Sequence, residues 1–322
     1  MAWQVSRRKF VKTSLIATAA VPLTLRGQTN AAAPQASAPA VKNEATIPTG
    51  KIGDQSFTRL ILGGNLIGGW SHARELSYVS ALMRRYNTEA KIRETLELAE
   101  ANGIQAVNTW VMQENSHLFN HWKSGGKMKW IAQARLDEGQ GFSQFQRAID
   151  EGAAGVHITG DAAESMLREG TFDKVIESVQ FIKSKGRAAG VAAHDLRVIV
   201  ECEKAKLNVD FYQKTFHSHE YFTAPRPGET DAVGAHDNSW CSDPQAVIYV
   251  MAKVTKPWIA FKILAAGAIA PRAAFPYAFN SGADFILVGM FDWQIEEDAK
   301  LARRVIGAAT SPDSKRTRPW FS

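Results

Sequence analysis

The feature that most constrains this 322-residue chain is an alternation of two patterns, repeated eight times. Short apolar runs end at "RLILGGN", "IQAVNTW", "KWIAQAR", "AGVHITG", "AAGVAAHD", "VDFYQKTFHSH", "PWIAFKIL" and "DFILVGM". Between them lie segments of helical periodicity, such as "TEAKIRETLELAEANG", "FDKVIESVQFIKSKG" and "DPQAVIYVMAKV". Strand patterns alternating with helix patterns mean parallel strands joined by crossover helices. Several helical segments end in glycine, at Gly103, Gly152, Gly186 and Gly282, as helices that feed a strand commonly do. Eight such units predict an α/β fold, a single (β/α)8 barrel over residues 57–310. A doubly wound open sheet is the alternative, but "GGNLIGG" after the first strand lacks the glycine spacing of a dinucleotide turn. Residues 41–56 read as a linker and 311–322 as a tail.

The front of the chain, "VSRRKFVKTSLIATAAVPLTL", sets a basic segment against a short apolar run. Spanning a bilayer takes about 20 apolar residues, more than this run supplies. It leads instead into the small-residue stretch "AAAPQASAPA", which is the order of a secretory signal. Ser6-Arg7-Arg8-Lys9-Phe10-Val11-Lys12 resembles the twin-arginine export motif. That resemblance implies recognition by the twin-arginine export machinery, cleavage near Ala38-Pro39-Ala40, and a periplasmic or secreted destination. It also implies a route used by proteins that fold, and often load a cofactor, before export. Residues 1–40 hold five of the 38 Lys and Arg and none of the 32 Asp and Glu, leaving 33 cations against 32 anions. A nucleic-acid-binding domain needs a basic surplus, so nucleic acid is not an expected partner. No run is long enough to make this an integral membrane protein. Cys202 and Cys241 can form a disulfide in an exported chain or remain separate thiols.

In a (β/α)8 barrel the chemistry sits where strands run out into the following loops. All eight histidines fall there: His72, His117, His121, His157, His194, His217, His219 and His236. Side chains alternate along a strand, so the outward apolar set identifies the inward one. With Val156 and Ile158 outward, His157 and Thr159 point to the axis; with Val191 outward, His194 does. Placing Ile259, Phe261 and Ile263 outward turns Lys262 inward. On the sixth strand either Lys214 faces the axis, or Gln213, Thr215, His217 and His219 do. Asn65, Asn108, Gln133 or Arg135 complete the ring.

Several chemistries fit this constellation. His157, His194, His217 and Asp195 suit a divalent metal (Zn, Mn or Fe), with Asp292 as a further oxygen donor and His219 as an added partner. Such a metal polarises a substrate oxygen while Lys262 or Lys214 moves a proton. The same histidines equally suit a metal-free, hydrogen-bonding pocket. Lys214 and Lys262 resemble the lysine pair of barrel aldolases of the deoxyribose-phosphate type, which implies Schiff-base chemistry.

"TRLILGGNLIGGW" with "AKIRETLELAEANGIQAVNT" resembles the opening of the aldo-keto reductases. That resemblance implies an Asp ending strand two, a Tyr soon after, a Lys on strand three and a His on strand four. His157 matches, but Asn108 stands for the Asp, "VMQENSH" has no Tyr, and Gln133 and Arg135 replace the Lys. The scaffold is therefore expected to serve other chemistry than hydride transfer.

"KILAAGAI" and "ILVGM" lack the glycine pair and small hydroxyls of a phosphate handle. Trp70, Trp110, Trp122, Trp240, Trp293, Tyr221 and Phe222 follow strand ends, where flat apolar faces suit sugar rings. The long connection from His217 to Pro244, with Arg226, Glu229, Asp231, His236 and Asp237, reads as a lid. The expectation is a metal-assisted isomerase, epimerase or lyase acting on a small non-phosphorylated hydroxy, keto or sugar-like compound. Lys262, Lys214, His219 and Asn108 are its catalytic groups. The alternatives are a Schiff-base lyase, an aldo-keto-reductase-like oxidoreductase and a non-catalytic sugar-binding barrel.

Overall fold

A computed structural model describes residues 46–322 apart from 74, 113, 114, 137, 138, 140 and 227–237. The twin-arginine segment, the cleavage site and His236 lie outside the described residues. Residues 49–58, expected mostly as linker, instead form an antiparallel hairpin. Strand β1 (Thr49–Ile52) pairs with β2 (Gln55–Thr58) around a Gly53–Asp54 turn, where Gly53 takes a φ of 61°. The hairpin presents Ile52 and Phe57, both fully buried, to one end of the barrel.

Eight parallel strands close that barrel in chain order. They are β3 (Leu60–Gly63), β4 (Ala106–Trp110), β5 (Lys129–Ala134), β6 (Gly155–Ile158), β7 (Ala188–Ala193), β8 (Phe211–Thr215), β9 (Trp258–Phe261) and β10 (Phe285–Val288). Strand β10 returns to pair with β3, so no sheet edge is left open. Helices α1 (Val79–Tyr86) and α2 (Glu89–Ala101) both lie between β3 and β4. Helix α3 (Ser116–Lys123) follows β4, and α4 (Ser143–Asp150) follows β5. Helices α5 (Gly160–Arg168) and α6 (Asp173–Ser184) follow β6, and α7 (Leu196–Lys204) follows β7. The circuit ends with α8 (Pro244–Met251), α9 (Pro271–Asn280) and α10 (Asp292–Thr310). Glycine ends α2 and α9 as expected, with Gly103 at φ 82° and Gly282 at φ 108°. Among the described residues no helix is long and apolar enough to cross a membrane.

The two faces of each strand build two separate cores. Leu60, Leu62, Trp130, Val156, Ile158, Val191, Tyr212 and Trp258 pack outward against the helices. Ile61, Ile131, Phe211, Ile259 and Phe285 point inward and meet Ile52 and Phe57 of the hairpin. Strand β9 therefore reverses the expected facing: Trp258 and Ala260 point out, Ile259 and Phe261 in. Both faces of this strand are apolar, as in parallel sheets buried on both sides, so alternation in the sequence carries no sign.

Residues 311–322 are not a loose tail. They return under the barrel, where Asp284, with no exposed surface, accepts from Arg318 Nη1 at 2.5 Å and Arg316 Nη2 at 3.2 Å. The backbone N–H groups of Trp258 and Phe321 also donate to it, at 2.9 and 3.0 Å. Arg59 stacks over Trp320 at 3.9 Å and donates to Ser322 Oγ at 2.7 Å. Cys202 and Cys241 are separate buried thiols.

Candidate active site

Because the hairpin and the inward apolar layer fill the lower barrel, only its upper end is hollow. A cavity of about 900 Å³ opens at the C-terminal ends of the strands. Its floor is polar. Asn108 on β4, Gln133 on β5, His157 on β6 and Gln213 on β8 line it, with Phe211 against the His157 ring from below.

These floor groups form a directed chain of hydrogen bonds. Gln133 Nε2 donates to Asn108 Oδ1 at 2.6 Å, and Asn108 Nδ2 approaches His157 Nε2 at 3.0 Å. His157 Nδ1 faces the carbonyl of Ile158 at 3.0 Å. A carbonyl only accepts, which places the proton on Nδ1 and leaves Nε2 to accept from Asn108. Burial pushes the imidazole down to about 4, so His157 stays neutral. The expected inward facing of His157 holds, and the cluster joins three of the four barrel positions named by the reductase resemblance.

A second pair stands higher. Glu164, in the middle of α5, accepts from the backbone N–H groups of His194 and Asp195 and from His194 Nδ1 at 3.1 Å. Burial alone would raise this carboxyl, but those hydrogen bonds outweigh it and hold it below its ordinary value. His194 lines the cavity, and with Nδ1 given to Glu164 its available nitrogen is Nε2. Burial chiefly lowers its pKa, Glu164 opposes this, and the positive charge of Lys262 adds to the lowering. A neutral imidazole aligned by a carboxylate is the arrangement of a general base. Glu164 was not legible in the sequence, because "GDAAESMLREG" reads as a solvated helix face.

Lys262 reaches the same cavity by a route that alternation did not reveal. Strand β9 ends at Phe261, and parity would send the next side chain outward. Lys262 instead adopts a left-handed φ of 56°, which turns it into the mouth. Its Nζ donates to His72 Nε2 at 2.7 Å and lies 3.8 Å above the Trp240 ring. Left-handed backbone is costly for a residue with a Cβ, and Ala265 (φ 44°) and Ala266 (φ 54°) repeat it in the same loop.

The proposed metal ligands do not come together. His217 gives Nδ1 to the Ser218 carbonyl and Nε2 to the N–H of Cys241, and burial lowers its pKa to about 4. His157 likewise has both nitrogens engaged. Asp195 caps α7 and holds Arg197. Asp292 accepts from Tyr86 and Lys91. Among the described residues no three His, Cys, Asp or Glu side chains form a ligand set. The donors present do not fit the zinc, manganese or iron centre expected from the sequence.

Other expected groups are structural. Lys214, 1% exposed, donates to the carbonyls of His194 and Thr215 and to Thr215 Oγ1, which uses all three donors of an ammonium. His219 Nε2 donates to the Cys241 carbonyl at 2.6 Å, and His121 pairs with Glu100 at 2.6 Å. His217 and His219 thus staple the long β8–α8 connection, which contributes Trp240 to the cavity. Of that connection, Glu229, Asp231 and Asp237 lie outside the described residues. Of the aromatic residues, Trp70, Trp110 and Trp240 line the cavity. Trp122 donates to the Met128 carbonyl, Trp293 stacks on Phe291, and Tyr221 donates to the Asn238 carbonyl. Phe222 is fully exposed.

No protein-family model and no curated protein matches this sequence. Among solved structures the chain is similar to a putative aldo-keto reductase from Pseudomonas aeruginosa, with a TM-score of 0.55 and 15% identity over 83% of this chain and 98% of that one. An N-acetylneuraminic acid synthetase from Leptospira borgpetersenii serovar Hardjo-bovis, in complex with citrate, gives a TM-score of 0.45 and 11% identity over 84% and 92% of the two chains. The chain is a closed, eight-stranded parallel (β/α)8 barrel with an aldo-keto-reductase-like structural neighbour.

Proposed function

We propose that this barrel is an acid–base enzyme, an isomerase, epimerase or lyase acting on a small non-phosphorylated hydroxy or keto compound. The observation that carries the reading is the Glu164–His194 pair on the same cavity as the Lys262 ammonium. His194 Nε2 takes a proton from the carbon next to a carbonyl, and the electron pair moves onto the carbonyl oxygen. Lys262 stabilises the oxyanion so formed, and Glu164 stabilises the imidazolium. Returning the proton to the other face gives an epimer; returning it to the former carbonyl carbon, while the hydroxyl proton of the first carbon passes to the enediolate oxygen, gives an isomer. Collapse of the enolate with departure of a β-substituent and its bonding electron pair gives a conjugated alkene. Asn108 and Gln133 hold substrate hydroxyls and keep His157 in its acceptor tautomer. Residues 1–40 support a place for this reaction outside the cytoplasm.

The test needs no known substrate. The enzyme is incubated in D2O with a panel of hydroxy-ketones beginning with dihydroxyacetone, and deuterium incorporation at carbon is followed by NMR. Positioned general bases contribute about 10²–10⁴-fold, so exchange should fall by that order in His194→Gln. Equal exchange in wild type and variant, across the panel, overturns the reading.

A second reading is favoured by one contact. His72 Nε2, 2.7 Å from Lys262 Nζ, can take the proton that a Schiff-base amine must lose. Trapping by borohydride at Lys262 with the same ketones, absent in Lys262→Met, decides for that chemistry.

A further inference from the structure

The cavity is divided, and the division specifies its ligand. The polar groups Asn108, Gln133, His157, His194 and Gln213 come from consecutive strands β4 to β8 or their ends. The opposite wall comes mainly from the insert between β3 and α2 and is largely apolar, with Asn65 and His72 its polar members. Leu66, Trp70, Leu76, Val79 and Met83 line it, joined by Phe291 from beyond β10. Trp70 stands 58% exposed at the rim, edge-on to Trp110. Apolar side chains left as exposed as Trp70 and Leu76 go against the ordinary preference for burial, which marks a binding surface.

A second observation points to the ligand's other half. Gln213 is 2% exposed and lines the floor, yet its Oε1 is buried with no hydrogen-bond partner among the described residues. Thr159 Oγ1, also on the cavity lining, is buried and unpartnered in the same way. Buried polar groups in folded proteins are nearly always paired, so an amide left unpartnered on a cavity floor calls for a polar group from the ligand. Gln133 Nε2 gives one of its two N–H groups to Asn108, which leaves that side chain a second N–H and its carbonyl oxygen. Amides on Gln213 and Gln133, each both donor and acceptor, are matched by hydroxyl groups, which are both as well. A cavity of about 900 Å³ lies near the top of the range for small-molecule sites, roughly 300–1,000 Å³, and exceeds what a single sugar ring fills.

From this juxtaposition we infer that the ligand is a two-part molecule, a polyhydroxylated ring carrying an apolar substituent, as in a glycoside with an aromatic or alkyl aglycone. The hydroxyls sit on the floor, with one on the Gln213 amide, and the apolar group lies against Trp70, Leu76, Val79 and Met83. Gln213 is the residue that selects a hydroxylated ring over an apolar one. The inference rests on the acid–base reading in taking the floor as the reacting end; a substrate of this class carries a ring ketone whose neighbouring C–H is the acidic one, and the glucoside probe tests the binding contacts alone.

The experiment measures binding of three probes by calorimetry: phenyl β-D-glucopyranoside, D-glucose and benzyl alcohol. The glycoside should bind at least about tenfold more tightly than either fragment, as linked contacts to two surfaces require. Gln213→Leu should weaken the glycoside and glucose by about fivefold or more, the worth of a hydrogen bond to a buried amide, and leave benzyl alcohol unchanged. The Leu76→Ser, Val79→Ser double variant should weaken the glycoside and benzyl alcohol and leave glucose unchanged. Gln213→Met repeats the first arm should the leucine variant fail to fold. A glycoside that binds no more tightly than glucose overturns the inference, as does a loss on Gln213 substitution that is equal for all three probes. The same titrations in His194→Gln separate the two readings. Unchanged binding there with deuterium exchange abolished supports both. The probe pattern without any exchange sinks the acid–base reading alone, and exchange without the pattern sinks the glycoside alone.

Discussion

The two ends of the barrel are built on opposite terms. At the N-terminal end the inward layer is apolar and plugged by the hairpin, and the buried carboxylate there is saturated. Both oxygens of Asp284 accept from a guanidinium and from a backbone N–H. At the C-terminal end the buried Gln213 and Thr159 oxygens lack partners, and Lys262, Ala265 and Ala266 hold left-handed backbone. The carboxylate at one end is satisfied within the chain, although Arg316 Nε beside it is unpartnered among the described residues. At the other end unpaired oxygens and left-handed backbone coincide with the cavity. That coincidence marks where function was installed at the expense of local stability.

The largest way to break it is at Asp284. Removing one partner of a buried charge cluster costs about 3–5 kcal/mol, so Asp284→Ala should lower the urea midpoint sharply. The cavity residues should keep their binding pattern below the new transition. If the variant unfolds no earlier than wild type, the N-terminal cluster is not what holds that end.

Acid should act at the other end. His157 and His217 have folded pKa values near 4, against about 6.5 when unfolded. Each therefore binds its proton more weakly in the folded protein, and contributes stability that is complete above pH ~6.5 and lost as pH falls through about 4. The loss is on the order of 1–3 kcal/mol for each group. Urea titrations between pH 7 and 4 should show this decline, and His157→Gln should flatten it. A profile unchanged by that substitution would show that the floor histidine does not resist protonation.

The smallest effect tests strain directly. Ala266→Gly at φ 54° should raise stability by about 1 kcal/mol, the cost of holding a Cβ in that region. The same change at Ala278, inside α9 and buried, should do the reverse.

The fold was legible because strand and helix periods differ, and every one of the eight expected strands is present. The inward facing of His157 followed from Val156 and Ile158, whose branched side chains flank a single polar residue. Strand β9 could not be read so, because Trp258, Ile259, Ala260 and Phe261 are apolar on both faces. Lys262 was correctly placed at the mouth, but through a wrong facing; the cause is a backbone angle that no pattern encodes. The hairpin was legible in retrospect, since "KIGDQSF" alternates around a Gly-Asp turn. The clustering of histidines after strand ends holds only in part and is divided in role, since His121 sits in the last turn of α3, against the end of α2. Three line the cavity, while His217 and His219 fasten a loop and His121 pairs with Glu100. Which histidine meets which partner is set by tertiary neighbours far apart in the chain, and Glu164 and His194 are thirty residues apart.

Helix α1 carries one consequence that concerns affinity. Met83 is its single buried side chain, and its C-terminal end is held by Arg84 to the Gly69 carbonyl and Asn87 to the Leu66 carbonyl. A segment with so little buried surface detaches locally at a small fraction of the global unfolding free energy. The apolar wall that completes the cavity therefore opens at lower cost than the strands beneath it, so the affinity of any ligand it grips includes the free energy of keeping one short helix in place.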